Sequence, residues 1–254
     1  MGNVLSVRGV TQKFGGLTAL SDIDMEVESG EIIGIIGPNG AGRTTLFNVI
    51  TGIYTPTDGK IFLQETDITG MKPYLVSRAG FARTFQNLRL FGRLSVRDNV
   101  IAGMHARLSC SLFDTLLNTK KKRQAKASAQ ERSEELLKLM GLWEQRYEYA
   151  SSLPYGSQRR LEIARALAAE PKILLLDEPA AGMNEIETSE LAQIVKQLKE
   201  MGHTILVIEH DMKFVMNICE RIYVLNYGKL ICQGTPDVVS RDHNVIKAYL
   251  GEEE

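Results

Sequence analysis

The run Gly37-Pro38-Asn39-Gly40-Ala41-Gly42-Arg43-Thr44-Thr45 combines glycines with a cation and two hydroxyls. The glycines allow backbone angles and close approaches that a Cβ forbids. Successive N–H groups can then surround a β-phosphate, helped by the positive end of a following helix. An apolar run, Glu31 to Gly37, precedes the loop and the helical run Leu46 to Ile50 follows it, the context that a phosphate-binding P-loop requires. Thr44 is placed to set its hydroxyl on Mg²⁺, and Thr45 to support an α-phosphate. The pattern departs at one letter, where Arg43 stands in place of lysine. A planar guanidinium that grips two oxygens is not equivalent to a compact ammonium, so the expected site is sound and its turnover slowed.

Ile173-Leu-Leu-Leu176 runs into Asp177-Glu178-Pro179. Asp177, at the C-terminal end of a buried strand, is expected to hold Mg²⁺ mostly through water. Glu178 is expected to orient or deprotonate an attacking water. A plain surface turn is the competing reading, against which stand the four apolar residues that lead into the acids. His210, after Ile205 to Ile208, suits a hydrogen bond to a γ-phosphate, although a histidine at a strand end is commonly a satisfied polar residue. Gln86, in Phe85-Gln86 beyond a helix ending near Gly80, offers a neutral side chain to Mg²⁺ or water.

These groups need a sheet to align them. Glu31 to Gly37, Ile173 to Leu176 and Thr204 to Ile208 are near-continuous apolar runs, as in parallel strands covered on both faces. Earlier, Ile23, Met25 and Val27 alternate with Asp24 and Glu26, the pattern of a half-exposed antiparallel strand, and Lys60 to Leu63 follows the turn Thr57-Asp58-Gly59. Helical patterns cover Ala127 to Met140 with Gly141 as C-cap, Gln158 to Ala169, and Thr188 to Met201. Between Asp98 and Ser151 helical character dominates and no buried-strand pattern occurs. The expected fold is therefore α/β: a P-loop NTPase core with a mostly parallel sheet, an N-terminal antiparallel β-subdomain and a helical subdomain inserted at about 98–165, within a single domain spanning 1–254.

The 254 residues suffice for one large α/β domain. Lys plus Arg number 30 and Asp plus Glu 31, so no global field attracts nucleic acid. The short basic run Lys120 to Arg123 reads as a solvated helix end or loop. Cys110, Cys219 and Cys232 are too scattered for a metal site or a disulfide framework. No stretch approaches a membrane span, and Met1 to Val10 lacks the features of an export signal. Any work at a membrane is therefore expected to go through a partner.

Taken in order, Phe14, the loop 37–45, Gln86, a segment at 153–157, Asp177-Glu178 and His210 resemble the ATPase subunit of ABC transporters over essentially the whole chain. The resemblance implies ATP and Mg²⁺ as ligands, with Phe14 stacking on adenine, though an ordinary core phenylalanine is equally compatible. It makes Leu153-Pro154-Tyr155-Gly156-Ser157 the signature segment, which opens a helix facing the γ-phosphate held by an opposite subunit. Pro154 occupies the family's serine position and lacks both hydroxyl and N–H. In a heterodimer Arg43 and Pro154 would impair different composite sites.

The segments Thr84 to Phe91, Tyr155 to Ile163, Pro179 to Asn184, Ile208 to Met212 and Ala248 to Gly251 look most like the LivG-type ATPase of branched-chain amino acid importers. They are less similar to those serving urea, amides or lipopolysaccharide. The implied assembly has a second, non-identical ATPase subunit, two membrane permease subunits and a solute-binding protein, at the cytoplasmic face of the inner membrane. The rival readings are a soluble ABC ATPase for DNA repair or translation and a regulatory subunit that binds ATP without much hydrolysis. The first lacks its long coiled-coil insertion or tandem cassette here. Arg43 and Pro154 favour the second, whereas Asp177, Glu178 and His210 oppose it.

Overall fold

A computed structural model describes residues 2–104 and 120–250, with the side chains of 120–125 and 250 outside the description. The order of elements is set by two sheets. The first is antiparallel, β2-β1-β4-β5, from Leu17–Glu28, Asn3–Phe14, Asp58–Leu63 and Thr66–Asp67. In β2, Ile23, Met25 and Val27 are buried and Asp24 and Glu26 exposed, the alternation of a sheet with one face on a core.

The second sheet has the order β10-β9-β3-β8-β7-β6, from Lys229–Gly234, Arg221–Asn226, Ile32–Ile36, Thr204–Ile208, Ile173–Asp177 and Phe81–Arg83. All its pairs are parallel except the edge hairpin β9–β10. Every residue of β3, β7 and β8 is buried. Their side chains part into two apolar layers by simple alternation. Ile33, Ile35, Leu175 and Leu206 face the cluster formed with the antiparallel sheet and the helix Arg43–Ile50. Ile32, Ile36, Leu174, Leu176 and Val207 face a second cluster. A fully buried aliphatic side chain contributes about 1.5–3 kcal/mol, so the two layers hold the central strands firmly.

The second cluster continues without a break into the helical region. It includes Val96 and Val100 of the helix Val96–Gly103, Leu136 and Leu137 of Lys120–Leu139, and Leu161 and Ala164 of Tyr155–Leu167. Among the described residues no strand lies between Asp98 and Ser151. The helix Lys120–Leu139 begins earlier than its apolar pattern predicts, at the basic run itself. It ends as expected before Gly141 (φ +66), with Leu142 N donating to Leu137 O at 2.8 Å. The helix Glu185–Glu200 starts three residues before its predicted position, because Asn184 and Glu187 form a reciprocal capping box.

Cys219 and Cys232 are free thiols, and burial pushes Cys219 up to about 12. Cys110 lies outside the described residues. No described helix is long and apolar enough to cross a membrane.

Candidate nucleotide-binding site

Because β3, β8, β7 and β6 are adjacent and parallel, their carboxyl ends lie along one edge of the sheet. Parallel sheets bind ligands at that edge. It carries the loop after β3, Glu209 and His210 after β8, Asp177 and Glu178 at the end of β7, and Thr84 to Gln86 after β6.

The glycine loop is built as its sequence requires. A Cβ on Gly37 would lie 2.1 Å from the Leu225 carbonyl oxygen, and Gly42, at φ +103, caps the helix Arg43–Ile50. The first N–H groups of that helix have no partner within it and point out of its end. They open onto a cleft of about 650 Å³ lined by Phe14, residues 39–45, Gln86 and Glu178. Phe14 is 41% exposed and packs edge-on against Tyr54 with ring centroids 5.1 Å apart, so it is not a core phenylalanine.

Across the cleft, the Gln86 amide nitrogen donates to Glu178 Oε2 at 2.9 Å. Glu178 sits at φ +47, a left-handed conformation that is uncommon outside glycine. Its N–H donates to Ile208 O at 2.9 Å, which ties this strained turn to β8. Asp177 is buried, and its Oδ2 pairs with Arg83 Nη2 at 2.7 Å. Arg43 is also buried, and its Nη1 donates to the backbone carbonyl of Glu209 at 3.0 Å.

The remaining expected residues lie elsewhere on the monomer. His210 is 60% exposed and lines a separate cleft with Met183, Glu185 and Lys213. Residues 154–157 do not line the phosphate-loop cleft. Pro154 is the N-cap of the helix Tyr155–Leu167 and makes no side-chain cap bond, while Tyr155 is 41% exposed.

A family profile described as "ABC transporter" matches residues 20–181. The chain belongs to this family. A second profile, "Branched-chain amino acid ATP-binding cassette transporter", matches residues 229–254 of the cassette. The cassette is 46% identical over 98% of each chain to the high-affinity branched-chain amino acid transport ATP-binding protein LivG of Escherichia coli K12. It is 34% identical, again over 98% of each chain, to the lipopolysaccharide export system ATP-binding protein LptB of the same organism. Among solved structures it superposes on the ADP conformation of MJ1267, an ATP-binding cassette of an ABC transporter. That match has a TM-score of 0.85 and 30% identity, and it covers 99% of this chain and 100% of that one.

Three polar groups of the cassette escape a reading by motif. Arg83 binds Asp177, Asn48 Oδ1 (2.8 Å) and Thr51 Oγ1 (3.2 Å), and it lies over the rings of Phe47 and Phe85. The buried Glu209 carboxylate accepts N–H bonds from Ala180 (2.7 Å), His210 (3.0 Å) and Asp211 (3.4 Å). Burial nevertheless raises its pKa above the usual value, against the pull of those bonds. Arg159 and Glu162 form a fully buried ion pair at 2.9 Å. Only charged residues inside apolar stretches hinted at these roles.

Proposed function

We propose that the cassette binds and hydrolyses ATP to drive the uptake of branched-chain amino acids through membrane permease subunits. The observation that carries this reading is the convergence of loop 39–45, Gln86 and Glu178 on one cleft. Gly37 to Gly42 with Arg43 would cradle the β- and γ-phosphates, Thr45 the α-phosphate, and Phe14 the base. Among the described residues no cluster of three or more His, Cys, Asp or Glu side chains could hold a metal. The hydroxyl of Thr44 and the amide oxygen of Gln86 at the cleft are hard oxygen donors of the kind Mg²⁺ takes, few in number beside phosphate oxygens and water. Thr44, Gln86 and Asp177 would hold it, and the ion would neutralise charge on the transferring phosphate. Glu178, oriented by Gln86, would take the proton of an in-line water, with His210 reaching the γ-phosphate once the cleft closes.

In this reading two ATPase subunits, this one and a non-identical partner, clamp two ATP molecules head to tail. The segment 154–157 then serves the partner's nucleotide, and region 98–165 acts as the helical subdomain. Phe91 and Leu94, both exposed, suit contact with a permease near Gln86. A solute-binding protein would deliver the amino acid outside, and the cassette would work at the cytoplasmic face of the membrane.

Support for the solute comes from the 46% identity to LivG and from the C-terminal profile. The test is to purify the complex through a tagged copy of this chain and reconstitute it in vesicles. ATP-dependent accumulation of leucine, isoleucine or valine is expected. Nucleotide turnover with no amino acid movement would remove the solute assignment. A second reading, an ATP-binding subunit with little hydrolysis, draws on Arg43, whose guanidinium is already bonded to Glu209.

A further inference from the structure

Arg83 ends β6, and its guanidinium lies over the rings of Phe47 and Phe85, 5.6 and 5.3 Å from their centroids. Nη1 donates to Asn48 Oδ1 at 2.8 Å and to Thr51 Oγ1 at 3.2 Å, at the C-terminal end of the helix Arg43–Ile50. Nη2 donates to Asp177 Oδ2 at 2.7 Å, and the two side chains are only 10% and 6% exposed. The pair uses one oxygen of the acid. Among the described residues no bond forms to Asp177 Oδ1.

A guanidinium keeps its charge at any working pH. Stacked on rings and bonded at both ends of its fork, this one is held against the acid, and with little water near them the two charges largely cancel. Buried ion pairs add little net stability, because desolvation offsets their attraction, so stability alone gives no reason for a cation here. Mg²⁺ gives up its water reluctantly and takes one or two carboxylates together with substrate phosphates. An acid whose charge is already cancelled offers such an ion little by itself. Phosphate oxygens supply the rest.

We propose that Arg83 is a positioning residue that keeps Asp177 from holding a divalent cation until a triphosphate occupies the cleft. It fixes the direction of the carboxylate and leaves Oδ1 as the oxygen presented. Nucleotide and metal then load together, and the empty cleft stays free of metal. The inference rests on the ATP-binding reading above.

The test is Mn²⁺ binding to the full chain, read by electron paramagnetic resonance, with and without an ATP analogue that is not hydrolysed. Wild type is expected to bind Mn²⁺ at least about tenfold more weakly alone than with the analogue. Arg83→Gln removes the charge and should bind Mn²⁺ alone at least about tenfold more tightly than wild type. Adding Asp177→Asn should abolish that gain. Arg83→Lys keeps the charge and should stay within about threefold of wild type. Asn48→Ala loosens the fork without stranding a buried charge, so it should gain about threefold and serves if Arg83→Gln does not fold. An arginine that only supported the fold would leave metal binding by the empty chain unchanged or weaker, never tighter. No gain in the folded variants, or a gain that survives Asp177→Asn, would overturn this inference alone. An analogue that fails to bind the wild type with Mg²⁺ would overturn the ATP-binding reading and this inference with it.

Discussion

The Arg43 guanidinium reaches the backbone carbonyl of Glu209 at 3.0 Å, linking the phosphate loop to the end of the strand that precedes His210. A lysine has a single compact ammonium to place, whereas an arginine has several donors in a rigid fork. Engaged in this way, Arg43 is restrained from following a phosphate through bond cleavage. Arg43→Lys is therefore expected to raise phosphate release by the intact complex by about tenfold, or about 1.4 kcal/mol of barrier. Under the proposed head-to-tail pairing, Pro154→Ser should raise it separately, through the other composite site. An unchanged rate in both variants would show that neither departure limits turnover.

Glu178 is bonded to Gln86 and held in a strained turn, an arrangement suited to aligning a water. Glu178→Gln removes the proposed base and keeps the shape. Turnover is expected to fall by about 10²–10⁴-fold while nucleotide affinity is retained, as read by equilibrium binding beside phosphate release. A variant that keeps more than a tenth of the rate would exclude Glu178 as the base.

Arg83 and Asp177 are an ion pair with little solvent contact, joined further to Asn48 and Thr51. Removing one member strands a buried charge. Arg83→Met should destabilise the fold by about 3–5 kcal/mol in urea denaturation, and adding Asp177→Asn should recover part of that loss. A single-variant cost below about 1 kcal/mol would mean that the pair relaxes into solvent.

Burial raises the carboxyls of Glu162 and Glu209 above 4.5, opposed by Arg159 in the first case and by the N–H groups of Ala180, His210 and Asp211 in the second. At these two groups the folded chain therefore binds more protons than the unfolded chain as pH rises through 4.5, until their folded values are passed. The stability held when these acids are protonated is withdrawn as pH rises through their folded values. Glu209→Gln imitates the protonated acid. Relative to that variant, wild-type stability should decline as pH rises from 4.5, by at most about 1.4 kcal/mol per pH unit. Chemical denaturation at several pH values measures the slope, and a constant difference would refute the shift.

Legibility in the sequence followed the length and purity of each pattern. The strands β3, β7 and β8 each present five buried residues in a row, and they stood out as apolar runs. Phe81–Arg83 is only three residues long, too short for any period to register. Asn3–Phe14 pairs with β2 through several register shifts, which break the alternation that would have marked it. Phe14 was undecided between adenine and core, because one aromatic letter carries no information about exposure.

By itself the sequence determined which groups the edge carries: a glycine loop after an apolar strand, acids after another, and a glutamine between them. Those are local facts, since backbone conformation and strand burial impose them on adjacent residues. The strand order β10-β9-β3-β8-β7-β6 was decided only by crossovers and packing. So were the partners of Arg83, 94 residues from Asp177, and of Arg43, 166 residues from Glu209. A charged side chain finds its counterpart only after the sheet has closed and solvent has been expelled, and no spacing along the chain encodes that meeting.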